Sequence, residues 1–219
     1  MQASPSIVFI FLTLFVSCDE YSRDKNPIRA VASNEQKKKE IFNYTMRKSA
    51  CNKLYENLKD TPDSQRKKQF INFIADSLIP CWYGTKWNFY GSTEIPQQGT
   101  IACGYFVTTV IRDAGIPIRR IKLAQCASEE MIKSVCQNQS IKRYRNTEFE
   151  TFISDVNKAG FGLYVIGLDN HTGFIFNDGK KAWFIHASYI TPACVMKEEV
   201  GGSIILKNSK YKVIGRLRI

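Results

Sequence analysis

The feature that most narrows the possible folds is a hairpin legible in residues 161–187. Phe161 to Leu168 is an apolar run, and His171 to Phe176 and Lys181 to Ala187 read as two further strands. Asn177-Asp178-Gly179-Lys180 joins the last two with the residue types that a tight hairpin turn favours. More strands are expected at Ser203 to Leu206 and Tyr211 to Leu217, around Gly201-Gly202. A C-terminal half of this kind commits the chain to an antiparallel sheet, which needs an apolar layer to cover it.

The N-terminal half supplies that layer. Ile41, Tyr44, Cys51, Leu54, Tyr55 and Leu58 recur at helical spacing between Glu35 and Leu58, with Lys and Arg opposite. Thr61-Pro62 reads as an N-cap followed by a first-turn proline, opening a helix with Phe70, Ile71, Ile74 and Leu78 inward. A third helix starts at Cys103, buries Phe106, Val107, Val110, Ile111 and Ala114, and ends at Gly115. Arg119 to Leu123 reads as a basic strand-like segment, and Ser128 with Glu129 and Glu130 marks a short helix through Cys136. Thr147 and Glu150 form a capping box for a helix with Phe149, Phe152, Ile153 and Val156 inward, closed by Gly160. Helices first and sheet second is an α+β plan.

The first residues have another purpose. Residues 7–17 form an apolar run of the length of a signal-peptide core, too short for a membrane span, ending at Ser17-Cys18-Asp19. Residues 1–17 are therefore expected to be an export signal, with Cys18 as a lipidation site resembling that of a bacterial lipoprotein; simple secretion is the alternative. Residues 18–34 would tether such an anchor to a folded domain over 35–219. The net charge of +11 favours an acidic partner; much of it sits early, with 13 Lys/Arg against 6 Asp/Glu in residues 21–70, and it reads as solvated helix faces with no compact patch that would imply nucleic acid.

Seven cysteines and two histidines bound the chemistry. Setting Cys18 and Cys103 aside leaves Cys51, Cys81, Cys126, Cys136 and Cys194, an odd set that forms at most two disulfides. There is no Cys-x-x-Cys and no close Cys/His group, so neither a metal nor a cofactor is expected. Cys103 follows the turn-rich lead-in Pro96-Gln97-Gln98-Gly99-Thr100 and stands at a helix start, where backbone amides favour a thiolate. A thiol nucleophile needs a base, and the base needs a third group to orient it. A turn centred on Asp178-Gly179 places His186 opposite His171, and directly paired residues project from the same face. One histidine could then meet Cys103 while the other orients it. The alternatives are two structural histidines in a hairpin and a Cys103 locked in a disulfide. The aromatic segment Trp82-Tyr83 to Trp87-Asn88-Phe89-Tyr90 reads either as a binding loop or as cover for one edge of the core.

Ala102-Cys103-Gly104-Tyr105-Phe106-Val107, His171-Thr172-Gly173-Phe174-Ile175 and Phe184-Ile185-His186-Ala187-Ser188 together resemble the NlpC-type papain-like cysteine peptidases over residues 80–190. That family carries Asp before its cysteine and Ser-Gly after it, where this chain has Ala102 and Gly104-Tyr105. The resemblance implies a papain-like fold and hydrolysis of amide bonds in short bacterial cell-wall peptides. Cys103 would be nucleophile, His171 base and His186 its orienter. Gln97 stands six residues before Cys103, where papain-type enzymes place an oxyanion-stabilising glutamine; Gln98, Asn88 and Gln125 are further candidates. Phe89-Tyr90-Gly91-Ser92 is similar to the family's aromatic-Gly-Gly lead-in, with Asn88 where a tyrosine usually stands, which makes Trp87 and Tyr90 substrate-wall candidates. The expectation is thus an exported, monomeric cysteine hydrolase acting on a peptide or cell-wall peptide, held at the membrane through Cys18. The competing expectation is a non-catalytic envelope binding module of the same shape, with Trp82, Tyr83, Trp87, Phe89 and Tyr90 holding the ligand.

Overall fold

The structure is a computed structural model that describes residues 27–60 and 63–219. By its internal contacts the chain divides into two units, Met1–Gln36 and Lys37–Ile219. The expected export signal, Cys18 and the first part of the tether lie outside the described residues, as do Thr61 and Pro62. The last part of the tether is helical backbone: α1 runs Pro27–Asp60, starting well before its apolar periodicity.

Within the second unit, helix α2 (Ser64–Phe73) is capped by Asp63, whose Oδ1 accepts from the Arg66 N–H at 2.8 Å. A π-helical turn, Ile74–Leu78, and a 3₁₀ turn, Ile79–Trp82, continue it. Short strands β1 (Lys86–Trp87) and β2 (Thr100–Ile101) pair in parallel ahead of α3 (Cys103–Asp113). Then come α4 (Arg120–Ala124), α5 (Ser128–Val135), β3 (Lys142–Arg145) and α6 (Phe149–Lys158). The C-terminal part holds β4 (Gly162–Leu168), β5 (Thr172–Asn177), β6 (Ala182–Ala187), β7 (Val195–Glu199), α7 (Ile204–Asn208) and β8 (Tyr211–Arg216). Six strands form one antiparallel sheet in the order β3-β8-β4-β5-β6-β7. The expected arrangement of N-terminal helices and a C-terminal antiparallel sheet is present.

Alternation along the strands divides the interior in two. Phe174 and Phe176 of β5 and Ile185 of β6 join Phe70, Phe106, Val107 and Val110 in the larger core, under α1, α2, α3 and α5. Ile175 and Phe184 point the other way, into a smaller core with Phe152 and Val156 of α6 and Ile205 and Leu206 of α7. A buried polar knot ties α1 to α3. Tyr44 Oη donates to Asp113 Oδ2 at 2.7 Å and accepts from Trp82 Nε1 at 3.1 Å, while Lys48 and Arg112 both reach Asp113 Oδ1.

Four local expectations are corrected. Residues 119–123 are not a strand, since α4 covers Arg120–Ala124. The helical turn lets the buried Arg120 give Nε to Thr109 Oγ1 at 2.7 Å and Nη2 to the carbonyls of Ser92 and Thr93, satisfying a cation that a strand would leave unpaired. Residues 203–206 open α7, because Ser203 Oγ accepts from the Leu206 N–H and acts as its N-cap. Neither Thr147 nor Ser128 caps a helix: the N-cap positions of α6 and α5 fall on Glu148 and Ala127, with no side-chain capping bond. Finally, β3 and β7 were not expected; β7 carries two glutamates, and β3 is basic and short.

Candidate active site

Asn177 pairs with Ala182 and Phe174 with Ile185 across the β5–β6 hairpin. The turn is therefore centred on Gly179-Lys180, one residue later than expected, and is closed by the Asp178 N–H donating to Lys181 O. The cause is local. Asp178 Oδ1 accepts from the amides of Lys180 and Lys181, and Gly179 takes φ +93° at the first central position, where a II′-type turn accommodates glycine. Moving the centre by one residue moves each cross-strand partner by two. That preserves the face on which a side chain emerges. His171 is accordingly diagonal to His186 rather than opposite it, and the two still meet: His171 Nε2 lies 2.9 Å from His186 Nδ1.

Gly173 occupies the position that register places opposite His186. A Cβ there would stand 2.7 Å from Phe184 Cε2 and 2.9 Å from His186 Cβ, so glycine is what makes room for His186 and the Phe184 ring it stacks on. His186 is fully buried and stacks on Phe184, with ring centroids 4.0 Å apart. Its Nε2 stands 3.2 Å from Glu198 Oε1, off the line of a well-formed hydrogen bond. Glu198 Oε1 in turn accepts from Ser203 Oγ at 2.6 Å. Burial tends to raise the Glu198 carboxyl, yet His186 and Ser203 prevail and hold it below the usual carboxylate range.

At the open end of the hairpin the sheet divides. The β5–β6 ladder stops at Phe174↔Ile185, while β4–β5 continues to Gly167↔Thr172 and β6–β7 continues to Ala187↔Val195. Beside this opening lies a cavity of about 270 Å³ whose lining includes Cys103, Cys126, Ser128, Asp169, Asn170 and His171. α3 delivers Cys103 to it as its first residue, after an extended and side-chain-uncapped Ala102. Gly104 is required there as well: a Cβ would meet Ala124 O at 2.4 Å, so glycine lets the end of α4 close against the first turn of α3.

Burial pushes the Cys103 thiol up, and the backbone amides of Thr172, Gly104 and Cys103 itself draw it part of the way back. His171 is pushed down to about 3, by burial first and by its neighbour His186 second. The resting pair is therefore a thiol and a neutral imidazole. Among the described residues Cys103 Sγ makes no hydrogen bond to either histidine, and all six described cysteines, Cys103 included, are free.

The aromatic segment is split by the fold. Trp82 is a core residue, which removes it from any ligand-holding loop. Trp87 is half-buried and reaches the site through Tyr189, whose ring lies 6.1 Å from that of Trp87 and 5.2 Å from that of His171. Phe89 and Tyr90 are 71% and 86% exposed and pack edge to face on each other. Asn88 Oδ1 accepts from the Tyr90 N–H, a local turn contact.

Gln97 is not brought to the thiol. With φ +60° its N–H donates to Thr85 Oγ1, and the residue lines a separate cavity with Arg47 and Cys81. The Gln98 N–H donates to Ile95 O, and Gln125 Nε2 donates to Tyr105 Oη. Among the described residues no group of His, Cys, Asp and Glu is arranged to hold a metal ion. Glu198, Ser203, Tyr189 and the Thr172 amide were missed from sequence. Glu198 carried a signal only in hindsight of pairing: it stands two positions beyond Met196, the β7 partner of His186. No protein-family model, no curated protein and no solved structure matches this chain, and what the site can do is therefore read from its own geometry.

Proposed function

We propose that the chain is an exported cysteine hydrolase of amide bonds with a papain-like arrangement, acting on peptides of the cell wall. The observation that carries this reading is the convergence of a helix-start cysteine and His171 on one cavity, with His171 in hydrogen-bond contact behind it with His186, the chain's other histidine. His171 takes the Cys103 proton as the sulfur attacks the scissile carbonyl. The amine leaves with a proton from His171, and water then cleaves the thioester and restores the thiol. The oxyanion would be held by backbone amides around Cys103 rather than by a glutamine side chain. Because both groups rest uncharged, proton transfer accompanies attack, and this reading requires the thiol–imidazole hydrogen bond to form when substrate binds. The basic surface suits an anionic wall polymer, and a lipid on Cys18 would keep the protein at the membrane. Among the described residues no helix is long and apolar enough to cross a membrane.

A second reading, a non-catalytic envelope binding module, draws on the missing Cys103–His171 hydrogen bond and on the exposed Phe89 and Tyr90. Hydrolysis of purified wall peptides separates the two. The hydrolase releases products and Cys103→Ala abolishes them; binding without products supports the module.

A further inference from the structure

We infer that Glu198 is a positioning residue that sets the tautomers of the histidine pair, and through them the nitrogen left free on His171. This rests on the hydrolase reading for its purpose, but its geometry stands alone. Two polar groups reach the buried His186 ring, His171 at Nδ1 and Glu198 at Nε2. A carboxylate only accepts, so the Nε2 proton of His186 faces Glu198 and leaves Nδ1 with a lone pair. His186 Nδ1 then accepts, which places the proton of His171 on Nε2 and its lone pair on Nδ1. Without Glu198 the same 2.9 Å contact forms equally well with the roles reversed, and His171 would then have no basic nitrogen to offer.

The acid is itself held from two sides. Glu198 faces Phe184 across the β6–β7 ladder, so it emerges on the face of His186 and lies diagonal to it. Ser203 Oγ donates to Glu198 Oε1 and accepts from the Leu206 N–H, so the N-cap of α7 is the fixed end of the series. A serine that caps a helix, an acid and two imidazoles thus form one directed chain of contacts. The neighbouring Glu199 belongs to the other face and pairs with Lys181.

The chain holds only two histidines, so selective ¹⁵N-histidine labelling reports each ring separately by NMR. At pH 7.5 the full protein should show both as Nε2–H tautomers. Glu198→Leu should convert His186 to a mixture or to Nδ1–H, and should slow alkylation of Cys103 by iodoacetamide ~10-fold. Glu198→Asp, which keeps the acceptor in case the leucine variant does not fold, should retain the Nε2–H form. His186 found as Nδ1–H in the native protein, or unchanged tautomers in Glu198→Leu, would overturn the inference. Neither result depends on hydrolysis: loss of product formation without a tautomer change counts against Glu198 alone, and correct tautomers without hydrolysis count against the hydrolase reading alone.

Discussion

The two ends of the β5–β6 hairpin are made of the same strands and treat polar groups in opposite ways. At the turn end, Asn177 Oδ1 accepts from the Gly179 N–H, and Asp178 takes the amides of Lys180 and Lys181 and the Trp183 indole N–H. Asn177 Nδ2 reaches back to Val156 O on α6. Apart from that reach to α6, these contacts close within a few residues of the turn. At the open end the ladder stops, two buried imidazoles depend mainly on each other, and His186 Nε2 lacks a well-aligned partner. Matched hydrogen bonds at one end hold the register; the loosely matched end leaves the buried imidazoles without a ladder, and one of them beside a cavity that a thiol also lines.

Gly173→Val should break this contrast most severely. Its side chain would collide with Phe184 and His186 on a neighbouring strand that cannot move freely, with a stability loss of ~3 kcal/mol by denaturant unfolding. The turn should survive while the histidine contact is lost, so unchanged histidine NMR signals would show that the open end is more plastic than the structure implies.

The next effect is on pH dependence. His171 titrates about 3 when folded and near 6.5 when unfolded, so between those values the unfolded chain binds the extra proton. Stability contributed by the neutral ring is full above pH 6.5 and falls as pH drops toward 3, at a limiting slope of ~1.4 kcal/mol per pH unit. His171→Asn should flatten the unfolding free energy between pH 6.5 and 4.5 relative to the native protein. Equal slopes would mean that His171 is not buried neutral. The smallest effect belongs to the turn end: Asp178→Ala should cost ~1 kcal/mol, because its partners lie near solvent, and should leave Cys103 alkylation unchanged.

Residue types announced the hairpin, the inward helix faces and the meeting of the two histidines. Phe70, Ile71, Ile74 and Leu78 are all buried as their spacing requires, and Gly115 and Gly160 close their helices with positive φ. The histidine contact was legible even though the turn was placed one residue early, because a two-residue register shift keeps the face. Long-range pairing was not legible. Nothing in Val195–Glu199 tells which strand it joins, so Glu198 could not be assigned to His186 before β7 was seen beside β6. Spacing along the chain also misled at Gln97, where the left-handed backbone turns the residue toward α1 and a different cavity. Arg120 shows the same limit: its helix is set by acceptors on a distant loop, not by local pattern.

The central claim is that Cys103 forms a covalent bond to the substrate. Native protein mixed with purified wall peptides, quenched in acid within seconds and digested, should carry an acyl adduct on the fragment containing Cys103, and the free peptide products should accumulate with time. Products formed without that adduct by native protein and Cys103→Ala alike, or tight peptide binding with neither adduct nor products, would contradict it.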